Sequence, residues 1–178
     1  MVVTLIGYRG CGKSSVGPLL ASMLGYECVD SDEVVQLRTG RNIADIFAQD
    51  GEAEFRRLES EVLKELFSRS KIVVAAGGGA ILAEVNRERM REAGPVVWLQ
   101  ASATELASRI GGDSTSGSQR PSLTGRSIED EVSEVLGARI PIYKAAATFE
   151  MNTENKTPED IAENVFLLIA KSAEGASE

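Results

Sequence analysis

Between the apolar run Val2-Val3-Thr4-Leu5-Ile6 and an amphipathic stretch over 15–24 lies the octapeptide Gly7-Tyr8-Arg9-Gly10-Cys11-Gly12-Lys13-Ser14. It fits G-x-x-x-x-G-K-[ST] at every fixed position, and it sits where a strand runs straight into a helix. A segment of this kind fixes much of a fold at once. The chain must leave a strand, curl so that successive backbone N–H groups point inward, and open a helix whose N-terminus faces the same point. The glycines allow the curl without Cβ clashes. The reading is a P-loop in which Gly10, Cys11, Gly12, Lys13, Ser14 and Ser15 cradle phosphates. Lys13 reaches the β- and γ-phosphates, and the Ser14 hydroxyl faces Mg²⁺. The rival reading is a glycine-rich turn with a solvated lysine, and both flanking elements speak against it. The chain is expected to bind a nucleoside triphosphate.

Five short apolar runs, over 2–6, 27–29, 72–76, 95–99 and 148–151, alternate with helical patterns. Asn42 can cap a helix over 43–48, and a charged helix follows over about 52–67. Ser102 with Glu105 forms a capping box, Ser127 with Asp130 resembles one, and Thr157-Pro158-Glu159-Asp160 opens a last helix. This alternation implies an α/β fold whose parallel sheet is covered on both faces. Ligands in such sheets bind at the carboxyl ends of the strands, where three glycine- or aspartate-rich segments fall here. The small polar stretch over 111–119 breaks the rhythm and reads as a surface loop or a lid. The tail 172–178 reads as disordered.

The 178 residues suit one domain. A net charge of −8 argues against nucleic acid or an anionic membrane as partner. Positive charge for holding phosphates must then be local, so the place of each arginine matters. With no histidine, any general base must be Asp, Glu, Lys, Tyr or a thiolate. Two cysteines without metal spacing favour a reducing compartment. No signal peptide is read at the N-terminus, and no apolar run approaches the roughly 20 residues of a spanning helix. A cytoplasmic location is expected.

Four further groups carry possible chemistry. Asp30-Ser31-Asp32 follows the second strand, either as metal ligand and base or as a helix N-cap. Gly77-Gly78-Gly79 follows the third strand, as an anion-binding nest or as a tightly packed turn. Arg56, in Phe55-Arg56-Arg57, and Arg139, in Arg139-Ile140-Pro141-Ile142-Tyr143, are anion ligands or solvated helix residues. Cys11 is an inert spacer or a thiol sensitised by Lys13.

Taken together and in order, the P-loop, Asp-x-Asp, Phe-Arg, Gly-Gly-Gly, Arg120-Pro121-Ser122-Leu123 and Arg-x-Pro-x-Tyr resemble the shikimate kinase family over nearly the whole chain. Arg38-Thr39-Gly40, Ile43-Ala44-Asp45-Ile46-Phe47 and Gly51-Glu52 agree. The resemblance implies a nucleoside-monophosphate-kinase-like, three-layer P-loop sandwich with a five-stranded parallel sheet. It implies one domain over 1–171, with a substrate-binding region over 31–58 and a lid over 111–125. The activity implied is ATP- and Mg²⁺-dependent phosphorylation of the 3-hydroxyl of shikimate, by a chain expected to be a monomer. Lys13 and Ser14 hold phosphates and metal, and Asp30 stands in the metal's outer shell. Asp32 is the base. Arg56, Arg139 and the amides of Gly77, Gly78 and Gly79 grip the substrate carboxylate, and Phe47 and Phe55 wall the pocket. Arg120 closes over the transferring group, with Arg109 near the nucleotide. The Ser/Gly-rich lid is longer than is usual in the family, Ser122 stands where leucine is common, and only Lys156 stands near the position of an adenine-contacting arginine. A gluconate or other sugar-acid kinase, and a non-catalytic ATP-binding regulatory module, are the alternatives.

Overall fold

The computed structural model describes residues 1–112 and 127–175. Five parallel strands, β1 (Val2–Ile6), β2 (Glu27–Asp30), β3 (Ile72–Ala75), β4 (Val96–Gln100) and β5 (Phe149–Asn152), lie in the order β2-β3-β1-β4-β5. Each matches an apolar run in the sequence to within a residue. β1 and β3 are buried along their whole length, as expected of inner strands covered on both faces.

Among the described residues seven α-helices accompany them: α1 (Lys13–Leu24), α2 (Ser31–Thr39), α3 (Ile43–Phe67), α4 (Glu84–Ala93), α5 (Ala103–Gly112), α6 (Ile128–Ala146) and α7 (Pro158–Gly175). α1 packs on α7, α2 on α3, and α5 on α6, while α4 touches both α3 and α6. This is the three-layer P-loop sandwich with helices on both faces of a parallel sheet. None of the described helices is long and apolar enough to cross a membrane.

The expected caps form. Asn42 accepts from the Asp45 amide at 2.7 Å, and Ser127 from the Asp130 amide at 3.2 Å. Thr157 and Asp160 exchange two bonds, at 3.1 and 3.2 Å. At Ser102 only half the box closes. Its hydroxyl accepts from the Glu105 amide at 3.3 Å, but its own amide donates to Glu154 at 2.7 Å, and Glu105 turns to Arg109. The two helices expected over 43–48 and 52–67 run on as α3, interrupted at Gly51, whose φ of 82° is open to glycine at little cost. α7 continues to Gly175, past the expected limit at 171, because Ala170, Lys171, Ala173 and Glu174 all suit a helix. Residues 113–126 and 176–178 lie outside the described residues, and with them Arg120 and most of the segment read as a lid.

Strand register positions the site. Leu5 pairs with Ala75, and Ala75 with Asp30. The chain therefore leaves β1, β3 and β2 at one height. The octapeptide, the triple glycine and Asp30-Ser31-Asp32 all emerge at the same rim of the sheet.

Candidate active site

The loop between β1 and α1 folds around its own lysine. Lys13 Nζ donates to the carbonyls of Gly7 at 2.8 Å and Tyr8 at 3.1 Å, and lies 3.6 Å from Cys11 Sγ. Gly12 stands at the N-cap of α1 with φ 101°, so no side chain covers the helix end. The first turn of α1 holds no acidic residue. The Ser15 amide already donates to the Gly12 carbonyl at 3.1 Å, but the amides ahead of it in the helix have no carbonyl one turn back to accept them, which leaves a positive helix end suited to an anion. Cys11 is 1% exposed, so a thiol reagent reaches it only if the loop opens.

Asp30 serves two readings at once. Its Oδ1 accepts from the amides of Asp32 at 2.8 Å and Glu33 at 3.4 Å, capping α2. Its Oδ2 receives the Ser14 hydroxyl at 3.5 Å. Burial, and then the charge of Asp32, push the Asp30 carboxyl above its ordinary range, against the pull of the two amides. A cation bound between Ser14 and Asp30 would relieve that strain.

The triple glycine makes room for side chains. A Cβ on Gly77 would come within 2.5 Å of Asp32 Oδ1 and 2.8 Å of Glu59 Oε1, and one on Gly79 would overlap the Arg56 guanidinium. The absent side chains thus admit a carboxylate and a guanidinium to the same short segment. The Gly77 amide donates to Ser31 Oγ at 2.9 Å, which ties this segment to the start of α2. The neighbouring arginines of α3 diverge. Arg57 pairs with Glu54 and Glu61 on the exposed face, whereas Arg56 turns inward to Glu59, which is 1% exposed, at 2.8 Å.

From the opposite side, Arg139 Nη1 of α6 donates to the Gly78 carbonyl at 3.2 Å, with its guanidinium 5.9 Å from the Tyr8 ring centre. The buried Tyr143 hydroxyl donates to the same carbonyl at 2.7 Å, and burial raises its pKa. Phe47 and Phe55 pack together with ring centres 4.8 Å apart, across the break at Gly51. Phe55 is fully buried. Arg109 Nη1 donates to the carbonyl of Gly10 at 3.4 Å and to Thr153 Oγ1 at 3.1 Å, bracing the loop against the segment after β5.

Lys13, Ser14, Asp30, Asp32, Arg56 and Arg139 therefore gather around the β1, β2 and β3 ends. Sequence reasoning passed over Arg9, Ser31, Glu59, Glu131, Tyr143 and Thr153. For Glu59 a signal existed in its three-residue spacing from Arg56.

The family model for shikimate kinase matches residues 9–170. A shikimate kinase of Rhodopirellula baltica is 42% identical over 161 residues, 90% of this chain and 86% of that one. The solved shikimate kinase of Acinetobacter baumannii in complex with shikimate superposes with a TM-score of 0.90 at 36% identity, covering 96% of this chain and 93% of that one. A gluconokinase from Sinorhizobium meliloti reaches a TM-score of 0.63 at 18% identity, covering 99% and 95%, a likeness of fold alone.

Proposed function

The chain belongs to the shikimate kinase family, and on that premise we propose how its residues transfer a phosphoryl group from ATP to the 3-hydroxyl of shikimate. The observation that carries the assignment is the convergence of Asp32, Arg56 and Arg139 on Gly77–Gly79, beside the loop that holds Lys13. A small polyol with one carboxylate needs both a cationic end and a basic end in its pocket. Arg56 and Arg139 supply the first, reaching from two different helices. Asp32 supplies the second and takes the proton of the attacking hydroxyl.

Lys13 and the amides opening α1 hold the phosphate chain and neutralise charge that moves onto it. Ser14 Oγ would hold Mg²⁺, and Asp30 Oδ2, which lies 3.5 Å from that hydroxyl, would stand in the ion's outer shell. That ion, when bound, would draw charge from the transferring phosphoryl oxygens. Phosphoryl transfer demands positioning and charge neutralisation more than covalent help, so a chain without histidine is equipped for it. The region 31–58 is the acceptor-binding portion of one domain, and the protein acts as a cytoplasmic monomer.

A coupled ADP-release assay with Mg²⁺-ATP and shikimate, beside gluconate and a no-acceptor control, tests this reading. Shikimate-dependent release is expected. ATP binding with no release for shikimate would remove the acceptor assignment and leave the phosphate loop standing.

Gly79→Ala tests the carboxylate grip without replacing a charged residue. The atoms nearest to the added methyl are those of the Arg56 guanidinium, which has to give way although Glu52 and Glu59 hold it. The expected result is a KM for shikimate raised by roughly tenfold or more, because a displaced guanidinium no longer meets the carboxylate, together with a lowered thermal midpoint, because the same displacement weakens the ion pair of Arg56 with the buried Glu59. A normal KM for shikimate would separate Arg56 from substrate binding.

A further inference from the structure

One stripe of α6 carries Glu131, Val135, Arg139 and Tyr143 at four-residue spacing. Three of them touch the rim of the sheet. Arg139 and Tyr143 both donate to the Gly78 carbonyl. Glu131 Oε1 stands 3.6 Å from Nη2 of Arg9, which lies within the phosphate loop itself. The two loops gripped by this stripe abut one another: a Cβ on Gly78 would lie 3.5 Å from the Gly7 carbonyl oxygen and 3.6 Å from the Arg9 amide nitrogen. α6 thus holds the phosphate loop and the triple-glycine segment from one side.

The Glu131 contact differs in kind from the other two. Its carboxylate is 3% exposed, whereas its partner's side chain is 23% exposed. A carboxylate so far from water calls for a cation and further hydrogen bonds. It also stands in the first turn of α6, where the helix dipole favours negative charge. An acid that only solubilised the helix would sit outward, as Glu129 and Asp130 do in the same turn.

We propose that Glu131 is a positioning residue. Through Arg9 it fixes the height of the phosphate loop against α6, so that Lys13 and Arg139 are held in one frame. The pair joins the phosphate site to the acceptor site through a single helix, and this inference rests on the assignment of those two sites given above.

The test compares Glu131→Gln, Arg9→Met, Arg9→Lys and the Glu131→Gln/Arg9→Met double variant. The measurements are ATP affinity by calorimetry, kcat and KM for shikimate, and thermal midpoint. Each neutral single variant is expected to weaken ATP binding and to lower kcat/KM for shikimate by roughly tenfold or more. The double variant is expected to be no worse than the poorer single one, and Arg9→Lys, which keeps the cation, to retain most of the activity. Losses that multiply in the double variant overturn the proposal. So does a lowered thermal midpoint with unchanged ATP affinity and kinetics, the mark of a purely structural ion pair. If Glu131→Gln does not fold, Arg9→Met against Arg9→Lys decides, and equal behaviour of the two overturns the pairing. The ATP titration needs no acceptor, so inactivity of the wild-type chain toward shikimate would defeat the proposed function while the titration still decides on Glu131.

Discussion

Asp32→Asn is expected to lower shikimate-dependent ADP release by about 10²–10⁴-fold, the usual contribution of a positioned general base. ATP affinity should stay close to that of the parent chain. The substitution is nearly isosteric, so it leaves the backbone where it is. The Asp32 amide still donates to Asp30, and α2 keeps its cap. The carboxamide still fits opposite Gly77, where Asp32 Oδ1 now lies. What disappears is the capacity to accept a proton from an attacking hydroxyl. ATP binding by calorimetry beside steady-state turnover separates these effects. Turnover near the parent value would show that Asp32 is not the base, and a matching loss of ATP affinity would point to a disturbed loop instead.

Lys13→Ala should behave differently, because Lys13 has two tasks. As a phosphate ligand its loss is expected to lower kcat by about 10²–10³-fold, in the range seen when one preorganised donor to developing negative charge is removed. As a brace within the loop it donates to the carbonyls of Gly7 and Tyr8. Its removal takes a charged donor from both, so the loop loosens. ATP affinity and the thermal midpoint should therefore fall together with kcat, unlike the Asp32 variant. Retained activity would defeat the P-loop assignment. A lost kcat with ATP affinity and thermal midpoint intact would mean that the two carbonyl contacts contribute nothing to holding the loop.

Much of this was legible in the sequence, for local reasons. The strand, glycine loop and helix around Lys13 follow from short-range pattern, as do the caps at Asn42, Ser127 and Thr157. Asp30 is instructive because both of its readings hold, one for each carboxylate oxygen. What escaped is burial, which depends on neighbours distant in sequence. Glu59 lies in a helix crowded with charge and Glu131 in a Glu-Asp-Glu run, so each reads as a solvated residue until the fold covers it. The capping box at Ser102 failed for the same kind of reason, since the carboxylate that takes its amide comes from residue 154. The triple glycine reads either as a nest of amides or as a tightly packed turn. Its clearest visible effect is steric, admitting Asp32 and Arg56 to one place.

The shared register of Leu5, Ala75 and Asp30 limits how such a pocket could be resized. A slip of β2 or β3 by one residue would turn its inward side chains outward, so the smallest slip that keeps the sheet's facing is two residues, or about 6.6 Å. That step is longer than any contact in the site. The spacing between phosphoryl donor and acceptor along the strand axis is therefore quantised by the peptide repeat. Adaptation to a longer or shorter acceptor has to come from the side chains that face Gly77–Gly79 and from the reach of the two arginines, with the sheet left as it is.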